Sequence, residues 1–127
     1  MDTYNVIPLR NADFIKVFKK VVAQFPNIST EDAVIIAIHS PAQEFYISEE
    51  KALRYCYNIH NRRPTGIKRG TAKYLCVTTL YYTARQKSRD MNISLRNAII
   101  DVIYSTAPRF YINRSTAYNI IKDIRTK

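Results

Sequence analysis

The residues best equipped for chemistry sit near the end of the chain. There Asn113-Arg114-Ser115-Thr116-Ala117-Tyr118-Asn119-Ile120-Ile121-Lys122 mixes cationic, amide and hydroxyl groups with aliphatic ones. At helical spacing Arg114, Ser115, Tyr118, Asn119 and Lys122 share one face, and Ala117, Ile120, Ile121 and Ile124 share the other. The polar face suits nucleic acid. An arginine fork matches guanine, an asparagine can pair twice with adenine, and Ser115 and Thr116 suit phosphate oxygens. The unpaired amides of a first helical turn add donors for the same anion. Arg109, just ahead, extends the cationic edge. A second supply lies upstream: Arg62, Arg63, Lys68, Arg69 and Lys73 in and just after a loop, then Arg85, Lys87 and Arg89. Basic loops of this kind hold phosphate without sequence preference, each neutralised phosphate releasing counterions.

The charge distribution points to the same class of partner. From Met1 to Asn61 there are 6 Lys and Arg against 7 Asp and Glu, net −1; from Arg62 to Lys127 there are 14 against 3, net +11, and the two sum to the chain's +10. So one-sided a field repels itself and is compensated by a polyanion. Other chemistries find less support. Zinc would need His39, Cys56, His60 and Cys76 to converge, and only Cys56 and His60 stand at a helical ligand spacing. A glycine-rich phosphate loop is missing, no paired carboxylates stand out, and a nucleophilic tyrosine among arginines lacks the His and Arg pattern of a recombinase. A non-enzymatic protein without cofactor or metal is expected. No stretch approaches the roughly 18 uncharged residues of a membrane span, and Met1 to Arg10 lacks the plan of a signal peptide. The expected location is cytoplasmic or, for a phage-encoded chain, virion-associated.

These groups have to be positioned, and the chain supplies its positioning elements twice. Asn27-Ile28-Ser29, Ala33, Ile35, Ile38, Ser40, Ala42, Phe45-Tyr46-Ile47, Ala52 and Ile59 recur as Asn92-Ile93-Ser94, Ala98, Ile100, Ile103, Ser105, Ala107, Phe110-Tyr111-Ile112, Ala117 and Ile124. That is 13 identities in 33 positions at an offset of 65, without a gap. Helical periodicity throughout predicts an all-α fold, a compact helical bundle of two tandem three-helix repeats, 1–61 and 62–127, with one shared core. The first helix is predicted over about 12–25, capped by Asn11. The second follows Ser29 and ends near His39, and the third follows Ser48, with acidic residues in their first turns. Their counterparts are predicted over about 71–88, 95–104 and 114–125, the last capped by Asn113. Phe45, Tyr46, Phe110 and Tyr111 read as core or staple residues rather than base-stacking ones, because both halves keep them although only one is basic. Cys56, aligned with Ile121, reads as a core thiol.

The segment from Tyr111 to Lys122 resembles the recognition helix of the helix-turn-helix DNA-binding superfamily, as found in transposases and bacterial regulators. There an aliphatic residue precedes a Ser or Asn cap, then Arg-Ser-Thr, a small apolar residue, Tyr and paired aliphatics. The resemblance covers about 99–122 and implies a second repeat of helix-turn-helix type, its last helix anchored on the preceding one and presented to DNA. The turn over 105–112 is longer than the usual 3 or 4 residues. The first repeat replaces Arg109, Arg114 and Ser115 by Glu44, Glu49 and Glu50. It is expected to serve as scaffold, protein contact or self-association surface. The function expected is that of a small bacterial or phage DNA-binding regulatory factor, with RNA left open as the polyanion. The alternative is a phage structural or assembly protein that meets a protein partner or packaged DNA.

Overall fold

The computed structural model describes residues 6–125, so the outermost ends of the two expected repeats, 1–5 and 126–127, lie outside the described residues. Six helices follow one another: α1 Val6–Gln24, α2 Thr30–Ile38, α3 Glu49–His60, α4 Ala72–Met91, α5 Leu95–Ile103 and α6 Arg114–Arg125. Local chemistry sets most of the starts. The side-chain oxygens of Ser29, Ser48, Thr71, Ser94 and Asn113 each accept the backbone amide three residues on, at 2.8 to 3.3 Å. Each such cap stabilises a helix by about 1 kcal/mol.

The α1 helix departs from expectation. It begins at Val6 and runs through Asn11, which caps nothing and instead accepts Arg10 Nε and Nη2 at 3.2 and 2.9 Å. Pro8 does not stop it, because the first turn of a helix has no use for its amide hydrogen. Ile7 and Leu9 are exposed, so the apolar stripe that marks a helix starts later than the helix does.

The bounds of α2 and α5, and of α3 and α6, differ by 65 residues. The first helices correspond at 63: buried or half-buried Asp13, Phe14, Val17, Phe18 and Val21 occupy the places of Cys76, Val77, Leu80, Tyr81 and Ala84. The α4 helix takes up the difference by running on to Met91, past the expected stop near Ser88. Asn92 then turns the chain in the left-handed region, at φ 53°.

Packing crosses between the halves. The pairs α1 with α2 and α4 with α5 stay within a half, but α3 lies on α4 and α5, and α6 lies on α2 and α1. The anchor of α6 is thus not the helix that precedes it, contrary to what the resemblance implies. The reason is the segment before each third helix, which is pinned to the opposite half. Phe45 N donates to Ile103 O at 3.1 Å and Phe110 N to Ile38 O at 2.9 Å. Between them Ala42 and Ala107 exchange both backbone hydrogen bonds, at 3.0 and 2.9 Å, in an antiparallel bridge. These partners map onto each other at the 65-residue offset, so a pseudo-two-fold axis passes through the bridge. Both alanines are buried, where a larger side chain would hold the two backbones apart.

A single core joins both halves. Phe14 meets Phe110 edge-on at 5.3 Å and Phe45 stacks on Tyr111 at 5.8 Å, so these aromatics serve packing, as expected. Cys56 and Cys76 are free, buried thiols, and burial pushes both up to about 12. Among the described residues no helix is long and apolar enough to cross a membrane.

Candidate nucleic-acid interface

The α6 helix divides cleanly. Arg114, Ser115, Tyr118, Asn119 and Lys122 are exposed, while Ala117, Ile120 and Ile121 are buried against the first half. At 100° per residue the exposed five fall within an arc of about 140°. Thr116 sits on the flank, half-buried, and its amide is already taken by Asn113 Oδ1. Its predicted role toward phosphate therefore falls to its hydroxyl alone. Arg109 is held in place: Nε donates to Phe110 O at 3.2 Å and the guanidinium lies 5.7 Å from the Tyr111 ring centre.

The loop and α6 meet at one point. A cavity of about 440 Å³ is lined by Arg109, Asn113 and Arg114 on one side and by Gly70, Thr71 and Tyr74 on the other, with His39 at the end of α2. The starts of α4 and α6, each with a positive dipole end, therefore open on the same space. Gly70 makes the approach with φ +84°, a conformation natural to glycine. Lys68 and Arg69, both exposed, lead directly into it.

Arg62 and Arg63 stand elsewhere. They close α3 in a Schellman turn, Arg62 N to Ile59 O at 3.1 Å and Arg63 N to Asn58 O at 2.7 Å, with Arg62 at φ 58° where glycine is the usual residue. His60 Nδ1 lies 2.9 Å from Tyr81 Oη, nine residues into α4, so the loop returns along roughly 13 Å of that helix before reaching Thr71. The predicted basic loop is thus a strip with arginines at both ends, not a cluster.

Lys73 has company that periodicity does not reveal. Its ammonium sits 5.1 Å from the Tyr55 ring centre, and the Arg54 guanidinium 5.0 Å from the same ring. Hydrogen bonding from Arg54, then from Lys73, holds the Tyr55 phenol below its usual range. The crossing of α3 onto α4 creates this group, so a helix expected to stand apart contributes a cation beside the basic strip. Lys87 is drawn off by Asp101 at 3.7 Å. Among the described residues no three His, Cys, Asp or Glu side chains gather as metal ligands, and His60 is engaged with Tyr81.

Comparison of the chain with protein-family models, with curated proteins and with solved structures finds no match, so the functional reading rests on the geometry of this cationic strip.

Proposed function

We propose that the protein is a small non-enzymatic DNA-binding factor, of bacterial or phage regulatory type, which grips the phosphate backbone along the 62–73 strip and sets α6 against the duplex. The observation that carries this reading is the shared opening of Arg109, Arg114 and the end of the basic loop on one cavity. A backbone phosphate seated there would meet arginine forks and helix-start donors together. Arg114, Tyr118 and Asn119 would then face the groove, and Lys122 the flanking phosphates. Because α6 rests on α1 and α2, the helix would be presented by a cross-braced scaffold rather than by a separate helix-turn-helix unit. Binding of a duplex measured across a salt series should show log K falling with log salt, with a slope of about −0.9 per phosphate and several phosphates engaged. A shallow slope or no binding would overturn the reading.

A phage assembly protein is the second reading. It is favoured by Leu75 and Tyr82, seven apart on α4 and exposed at 43% and 59%, with Ile36 at 41%. Light scattering that finds a large homo-oligomer without duplex affinity would select it.

A further inference from the structure

A second cavity, also of about 440 Å³, lies beside the pseudo-two-fold axis; it shares Lys73 and Arg109 with the proposed DNA-binding strip, while Arg10, Glu44, Phe45 and Tyr111 belong to it alone. Its walls come from both halves: Glu44 and its counterpart Arg109, Tyr46 and Tyr111, and Arg10 and Lys73 all line it. The volume is that of a small-molecule site. Its chemistry is specific. Half-buried Tyr111, backed by buried Phe45 in a stack at 5.8 Å, supplies an aromatic wall. Lys51 joins Arg10, Lys73 and Arg109 as cations, against Glu44 and Glu50, and among the described residues none of the six is in an ion pair. Arg10 carries the cost of this arrangement: it is half-buried, burial lowers its pKa from the ordinary value, and its one hydrogen-bond partner among the described residues is the neutral Asn11 amide oxygen. A guanidinium so placed keeps unused donors in a partly dry site, where an incoming anion gains most.

We propose that this cavity binds a small aromatic anion, its ring against the Phe45 and Tyr111 wall and its carboxylate or phosphate toward Arg10 and Arg109. The inference shares Arg109 with the DNA-binding reading, but its test contains no nucleic acid and varies Arg10 and Glu44, which that reading does not use. The anionic dye 8-anilinonaphthalene-1-sulfonate should bind the full chain saturably, one per molecule, and more tightly than the neutral dye N-phenyl-1-naphthylamine. Arg10→Gln should weaken the anionic dye about tenfold through loss of a charge-assisted contact, whereas Glu44→Gln should tighten it. Partial unfolding raises binding of this dye and full unfolding abolishes it, so an unchanged thermal melt is required of both variants before their affinities are compared. Benzoate and phenyl phosphate then compete for the site, the better competitor identifying the headgroup. Non-saturable binding, equal binding of the neutral dye, unchanged or like-signed effects of the two substitutions, or displacement by neither competitor would each overturn the proposal.

Discussion

At the start of α3, Glu49 Oε2 accepts Tyr104 Oη at 2.6 Å, a bond that ties the first half to the second. At the start of α6 the corresponding positions hold Arg114 and His39, and both line the cavity beside Gly70 and Thr71. One backbone plan therefore carries a carboxylate engaged by a phenol in one place and an arginine beside a basic loop in the other. The difference teaches which positions packing requires. Ala33 and Ala98, Phe45 and Phe110, Ala52 and Ala117 keep their identity and are buried in both halves. The first residues of the two third helices are exposed and outside the core, and there the halves diverge.

The strongest way to break the comparison is to show that the two cores are not equivalent. Ile121→Asp and Cys56→Asp each place a charge at a fully packed position of a third helix, and each should cost several kcal/mol. Circular dichroism should find both unfolded or close to it. If only one half's substitution is disruptive, the halves do not share a core.

A smaller effect separates the first helices. Asp13, 8% exposed, accepts Gln43 N at 2.9 Å and Tyr46 Oη at 2.6 Å, and so holds Tyr46 in the left-handed region at φ 55°. Its counterpart Cys76 makes only a 4.0 Å contact to Phe45 O. Asp13→Ala should cost about 2–3 kcal/mol because it strands two donors, and Cys76→Ala about 1 kcal/mol. Urea denaturation would rank them; equal costs would mean that the Asp13 bonds carry no net stability.

Arg62 offers the finest test, since stability and binding should move in opposite directions. Glycine relieves the left-handed conformation, so Arg62→Gly should stabilise the fold by about 0.5–1 kcal/mol. Losing one phosphate contact should reduce the salt slope for duplex binding by about one. A stabilised variant with an unchanged slope would remove Arg62 from the strip while leaving the rest in place.

Much of the scaffold was legible in the sequence because its signals are local. Ser29, Ser48, Ser94 and Asn113 announce helix starts by chemistry that acts over three residues, and the alternation of Ala117, Ile120 and Ile121 with polar neighbours marks the buried side of α6. The early start of α1 was hidden because Ile7 and Leu9 are apolar yet exposed. The crossing of the third helices was hidden for a deeper reason: Ile121 is satisfied equally by either half, and nothing in its spacing says which apolar surface covers it. The grouping of Lys73 with Tyr55 and Arg54 depends on that crossing, as does the separation of Arg62 and Arg63 from α6. The exposed face of α6 itself, Arg114, Ser115, Tyr118, Asn119 and Lys122, was legible because it follows from helical period alone.

The central claim is that α6 meets DNA and α3 does not, and duplex affinity of paired variants tests it most directly. Arg114→Glu should weaken binding by about 2 kcal/mol, roughly thirtyfold, because it sets a carboxylate where a phosphate would approach. Asn119→Ala should weaken it less, and Glu49→Ala, at the position equivalent to Arg114, should leave it within about twofold. Arg114→Glu and Asn119→Ala should melt with the parent, as exposed positions do, and Glu49→Ala somewhat below it because it loses the Tyr104 bond. Equal losses from Arg114→Glu and Glu49→Ala, or no loss from Arg114→Glu, would contradict the assignment of α6 as the nucleic-acid surface.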